Sequence, residues 1–143
     1  MDLCVIGRVV SDRTAHQWGQ WRRSRCEIHV NGDYADGLSG LEDFSHVLVV
    51  YAMDNMGKVR MKVTPQGKDS SPEVGVFASR CPWRPTPIGV TAVKLLGVDG
   101  AVLSVEGLDA IDGTEVLDIK PYMPQYDAVE DCRYPAWVDQ LEF

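Results

Sequence analysis

Two arginines bracket a tryptophan in the stretch Arg80-Cys81-Pro82-Trp83-Arg84-Pro85-Thr86-Pro87, and three prolines punctuate it. Each proline fixes its own φ and pushes the residue before it (Cys81, Arg84 and Thr86) towards extended backbone. A proline donates no backbone hydrogen bond, so the stretch is excluded from the interior of a sheet. It reads as a stiff connector between two strands, an apolar run with Val74, Val76 and Phe77 before it and another beginning at Ile88. Guanidiniums held beside an aromatic ring at little entropic cost suit an anionic or planar ligand. Composition alone favours a plainer reading, a rigid loop with solvated arginines.

The other reactive side chains form no obvious centre. Cys4, Cys26, Cys81 and Cys132 are widely spaced without a CxxC pair, and His16, His29 and His46 add no metal-ligand spacing, so no metal is expected. The thiols should be free and mostly buried. No G-x-G-x-x-G follows a strand, and there is no phosphate-binding loop, zinc-deaminase signature or nucleophile elbow. His46, at the head of an apolar run, reads as a structural hydrogen-bonder.

The elements that must carry these groups are strands. Leu3 to Val10 is a first one, and a polar, turn-rich stretch follows in which Trp18 and Trp21 should cap an end of the fold. Cys26 to Val30 is a second, and Asn31 to Gly40 reads as turns. His46 to Met53 is the strongest buried strand. Lys58 to Thr64 alternates strictly, predicting a half-exposed strand with Val59, Met61 and Val63 inward and Lys58, Arg60 and Lys62 outward. Asp99-Gly100 marks a hairpin turn, and a Gly-rich loop then leads into a last strand. At 143 residues and 45% apolar composition the chain is one folded domain.

The net charge of −7 is unevenly spread. From Asp99 onward eleven acidic residues face only Lys120 and Arg133, while the basic residues lie in two earlier blocks, Arg8 to Arg25 and Lys58 to Lys94. A basic face on an acidic protein can hold RNA phosphates locally, or simply protect strand edges. No run spans a bilayer and the N-terminus lacks a signal-peptide pattern, which predicts a cytoplasmic protein without membrane contact.

VFASRCPWRPTPIGV, followed by LDAIDGTEVLDIKPY and preceded by IGRVVS and GLEDFSHVLVVY, resembles the TsaA-like (YaeB/TrmO) family from Ile6 to Tyr122. The resemblance implies an all-β fold, a small barrel with long loops over residues 1–126, with an acidic tail, 127–143, packed on it or trailing. It implies S-adenosylmethionine as cofactor and N-methylation of N6-threonylcarbamoyladenosine beside the anticodon, hence tRNA as a partner. It also implies a homodimer with the cofactor near its two-fold interface. By resemblance, Arg80, Val90 and Glu106-Gly107-Leu108-Asp109 line the cofactor pocket. Met53 and Asp54 join them by position, and Gln17 is what remains of a Pro-Arg-Gln element that reads Ala15-His16-Gln17 in this chain. Arg80 suits the methionyl carboxylate, and Asp109 a ribose, an ammonium or an adenine amine. Without the resemblance, Asp109 and Asp112 would be ordinary turn residues. On the substrate side, Lys120 and Tyr122 are the catalytic candidates, with Arg84 guiding a phosphate or carboxylate. Two alternatives stay open: methyl transfer to another substrate, and a non-catalytic module that senses S-adenosylmethionine.

Overall fold

A sheet whose strands alternate apolar and polar residues has one dry face, and it must stack or close to hide it. In the computed structural model, which describes residues 1–143, it closes. The strands are β1 (Gly7–Val10), β2 (Arg25–Val30), β3 (His46–Ala52), β4 (Lys62–Val63), β5 (Val74–Gly75), β6 (Ile88–Asp99), β7 (Val102–Glu106) and β8 (Glu115–Pro121). Six of them form an antiparallel barrel in the order β1-β2-β7-β6-β3-β8, closed by β8 on β1. The short pair β4-β5 stands apart. Val9, Ile28, Val47, Val49, Val93, Leu103, Val105 and Val116 fill the interior, each almost fully buried. Closure leaves the barrel with few free edges, and one that remains matters below.

Because every neighbouring pair is antiparallel, each mouth of the barrel collects alternate strand ends. At one mouth rise the three long connections, 11–24, 53–87 and 107–114. At the other lie the 3-10 turns Gly32–Leu38 and Leu41–Asp43 and the tight β6–β7 hairpin. The chain's last residues fold back beside the first mouth. Gln66 exchanges two hydrogen bonds with the Glu142 backbone (2.8 and 2.9 Å), and Lys68 Nζ reaches the Gln140 carbonyl and the Glu142 carboxylate. No helix is long and apolar enough to cross a membrane.

Several expectations need correction. Only Lys62–Val63 of the alternating stretch is a strand; Val63 is buried, but Val59 and Met61 are each 55% exposed. Alternation predicts burial only where a second layer covers one face, and this pair has just β5 beside it. The run at Val74 breaks after Gly75 into a 3-10 turn, Val76–Ala78, which buries Val76 and leaves Phe77 74% exposed. The first strand is shorter than the apolar run, with Leu3 exposed. Of the two tryptophans expected to cap an end of the fold, Trp18 is exposed, whereas Trp21 packs edge-on against Phe143 at 6.3 Å. Cys4 and Cys132 are exposed rather than buried. Cys26 is the thiol that burial does affect, its pKa pushed up to about 11.

Candidate functional site

The first half of β6 has a partner on one side only. β3 pairs with Ile88 to Lys94, whereas β7 pairs with Lys94 to Asp99 and stops at Glu106. The backbone edge from Ile88 to Val93 therefore borders a slot, and the loop after β7, beginning at Gly107, runs from the place where the pairing ends. Gly107 suits that departure. Its φ is +93°, its N–H donates to the Ser24 carbonyl at 3.0 Å, and a Cβ would stand 3.1 Å from the Arg22 carbonyl.

Tyr51, inward at the end of β3, lies across Gly89. A Cβ on Gly89 would meet the ring carbons at 2.5 Å, so only glycine lets the ring lie there. The Tyr51 hydroxyl pairs with Thr91 Oγ1 at 3.1 Å. Burial raises the phenol's pKa, the Thr91 hydrogen bond opposes that, Asp109 adds to it, and Arg80 and Arg13 oppose it. Tyr51 is therefore a neutral floor close to three charged side chains.

Of those three, Asp109 has no hydrogen-bond partner and Arg13 is only partly satisfied. Asp109 is half-buried between the buried Leu108 and Ala110, and its carboxylate makes no hydrogen bond within the protein. Burial pushes its pKa up, outweighing the pull of Arg13 and His16. Arg13 is fastened through its backbone: its N–H donates to Ser11 Oγ (3.1 Å) and its carbonyl accepts from the Asp112 N–H (2.7 Å). Its Nη1 reaches the Leu108 carbonyl at 3.5 Å, but its Nη2 is buried with no partner. A buried donor on a charged group left unmatched costs on the order of 1–3 kcal/mol or more. Beside the slot thus lie a buried donor and a half-buried acceptor that the protein itself does not satisfy.

The two arginines of the proline-rich stretch have opposite fates. Arg80 is exposed and donates from Nη1 to the Val90 carbonyl on the free edge of β6, at 3.1 Å. Arg84 turns inward and staples its own loop, donating from Nε to the Cys81 carbonyl (2.9 Å) and from Nη2 to the carbonyls of Val76 (3.1 Å) and Ser79. Its Nε and Nη2 are spent on the loop, which leaves Nη1 alone for the phosphate or carboxylate expected of Arg84.

Arg80, Gly107, Leu108 and Asp109 meet at the slot, and Val90 joins them through its backbone, its side chain lying outside the barrel. Met53 borders it, packed on the core and holding the Pro87 carbonyl through its N–H at 2.7 Å. The remaining expected residues do not converge. Glu106 points outward to pair with Arg25 (3.0 Å), Asp54 accepts from the Met56 N–H in a local turn (2.7 Å), and Gln17 is exposed without a hydrogen-bond partner. Lys120 pairs in register with Leu48, and the Tyr122 N–H bonds the His46 carbonyl. They lie about 10 and 17 Å along β3 from Tyr51 towards the opposite mouth, at about 3.4 Å per residue. Lys120 is also the wrong protonation state for a base, because hydrogen bonding to Asp118, 2.6 Å away, raises its pKa further. Arg13, Tyr51 and Thr91 were not anticipated as site residues. The signal for Tyr51 was a tyrosine inward on a buried strand; nothing in the spacing of Arg13 announced it.

A closed barrel with an unsatisfied polar slot at the mouth that carries its long loops defines a ligand-binding β-barrel. Residues 11–128 match the tRNA-methyltransferase O N-terminal domain, and the chain belongs to that family. An S-adenosyl-L-methionine-binding protein of Archaeoglobus fulgidus is 41% identical over 133 residues, covering 90% of this chain and 94% of that protein. The tRNA (adenine(37)-N6)-methyltransferase of Homo sapiens is 39% identical over 115 residues, covering 79% of this chain. A solved structure of TrmO superposes over 94% of the chain with a TM-score of 0.76 and 32% identity. The chain spans 62% of that TrmO, 25% of the human enzyme and 34% of a second Archaeoglobus fulgidus relative.

Proposed function

We propose that the chain binds S-adenosylmethionine in this slot and transfers its methyl group to a nitrogen of a tRNA adenosine, with N6-threonylcarbamoyladenosine as the acceptor. The observation that carries the reading is the unmatched pair, Arg13 Nη2 and the Asp109 carboxylate. The cofactor would supply an electrophilic methyl on a sulfonium. It also presents an ammonium and ribose hydroxyls for Asp109, a carboxylate for Arg80 and Arg13, and apolar surface for Met53 and Leu108. The names of the archaeal binding protein and the human enzyme support the same reading. The proposal includes a cytoplasmic location and a homodimer. Outward residues of β3 and β6 (Leu48, Val50, Ala52, Val90 and Ala92) form an apolar face beside the slot, rimmed by Asp118 and Lys120, where a second copy would sit.

Calorimetry with S-adenosylmethionine tests it on wild type, Arg13→Ala and Arg80→Ala, with methyl transfer to threonylcarbamoylated tRNA measured alongside. A charge-assisted hydrogen bond is worth about 1.5–3 kcal/mol, so each variant should bind about ten- to a hundredfold more weakly. No binding by folded wild type would sink the reading. Binding without methyl transfer to any tRNA would leave the sensing module in its place.

A further inference from the structure

The connection from β3 to β6, residues 53–87, is chemically unlike the rest of the chain. It holds six basic and three acidic residues, whereas the remaining 108 positions hold eight basic and eighteen acidic ones. Asp54 is turned into its local turn with the Met56 N–H, and Asp69 and Glu73 lie on the link between β4 and β5. Of the five ion pairs in the protein only Lys68–Glu142 involves this connection; Lys58, Arg60 and Lys62 pair with no carboxylate. Four large apolar side chains, Met56, Val59, Met61 and Phe77, are exposed among them.

Phe77 is displayed on a locked support. The Ser79 N–H and hydroxyl both donate to the Val76 carbonyl (3.2 and 2.8 Å), and Arg84 adds a third hydrogen bond to it. Next to it in the same lobe, Arg60 stacks on Trp83 at 4.5 Å and ties its N–H to the Trp83 carbonyl at 2.9 Å. Protein interfaces are depleted in lysine at their centres. Unpaired cations around a fixed, exposed aromatic ring instead match a flexible polyanion carrying flat bases.

We propose that this lobe docks the single-stranded loop of an RNA, with Lys58, Arg60 and Lys62 against phosphates and Phe77 stacked on an unpaired base. The inference deepens the methyltransferase reading and rests on its RNA acceptor. The lobe is bound to the site's mouth through Met53 to Pro87 and Arg80 to Val90, so an RNA held on it presents its neighbouring nucleotides to the slot.

The test is fluorescence anisotropy of an anticodon stem-loop RNA at several salt concentrations, with S-adenosylmethionine calorimetry on the same preparations. Lys58→Gln/Lys62→Gln changes two exposed side chains that make no hydrogen bond, and Phe77→Ala removes the exposed ring. The double variant should flatten the slope of log K against log salt by about 1.4, at about 0.7 per phosphate on a single strand. Phe77→Ala should weaken binding by about five- to 150-fold, the range for one stacked base. Both should bind S-adenosylmethionine like wild type, and Arg8→Gln, on the barrel wall, should leave RNA binding unchanged. RNA affinity and slope unaltered in both variants would overturn the docking surface and leave the methyltransferase reading intact. Wild type that binds the cofactor but no RNA would reject the surface and the RNA acceptor together. A change in oligomeric mass alone for Phe77→Ala would show that the patch covers a protein copy instead.

Discussion

The two mouths of this barrel make a useful contrast, because an open cavity lies at one and the unmatched polar groups at the other. A cavity of about 610 Å³ opens at the mouth opposite the long loops, lined by Ala35, Asp36, Leu38, Ser39, Glu42, Val98 and Gly100. Its two carboxylates are exposed and solvated. The slot at the other mouth is the one with a buried guanidinium nitrogen lacking a partner and a half-buried carboxylate whose pKa burial raises. A cavity marks where something fits; an unsatisfied donor and acceptor mark what is missing. Charge separates the mouths too. Residues 31–45 carry Asp33, Asp36, Glu42 and Asp43 without one base, while the basic lobe 53–87 rises at the other mouth. A polyanion is repelled from one and drawn to the other.

The sharpest test of that contrast uses one strand. Gly89 and Gly97 both lie on β6, one near each mouth. A Cβ at 89 would penetrate the Tyr51 ring, whereas a Cβ at 97 would meet nothing within 4 Å. Gly89→Ala should destabilise by about 1–3 kcal/mol through overpacking, and displace the floor of the slot. Gly97→Ala should be neutral or stabilise by up to about 1 kcal/mol through the unfolded chain. Urea denaturation measures both, and equal losses at the two positions would remove the special standing of Tyr51.

Next in size is the effect of Asp109→Asn, which should move stability and binding in opposite directions. The Asp109 carboxyl is raised by burial, so the folded protein keeps its proton where the unfolded chain has lost it. Stability then falls as pH rises from the ordinary carboxylate range through that raised value, and above it the ionised group is a standing cost. Asp109→Asn should therefore be more stable than wild type at neutral pH, with the gap closing in acid, while cofactor affinity drops about tenfold or more. Asp36→Asn at the other mouth, an exposed surface change, should alter stability by less than about 0.5 kcal/mol. A destabilised Asp109→Asn at neutral pH would mean the carboxylate has an internal role.

The strands were legible because runs such as VLVVYA are apolar without a break, whereas their closure into a barrel was implied by the family resemblance. Alternation failed as a guide at KVRMKVT, where it was present but no layer covered it. Arg80 and Arg84 have the same residue type, similar neighbours and a spacing of four; which turned outward and which inward depended on a 3-10 turn at Val76 that propensity does not announce. Arg13 was illegible for a different reason. Its place in the slot is set by backbone bonds to Ser11 and Asp112, a contact across a hundred residues that no local window contains.

The smallest expected effect concerns Lys120 and Tyr122, the residues whose motif looked most catalytic. Lys120 is fully exposed and paired to Asp118, an arrangement that contributes little to stability. Tyr122 engages β3 through its backbone, which a phenylalanine keeps. Lys120→Ala/Tyr122→Phe should therefore leave stability essentially unchanged and change cofactor affinity by less than about twofold, read by calorimetry beside Arg13→Ala. If affinity holds while methyl transfer collapses, one barrel cannot account for it, because both side chains lie towards the wrong mouth. A second copy would have to carry its own β8 to the slot, and the division of labour between mouths would then run across a subunit interface.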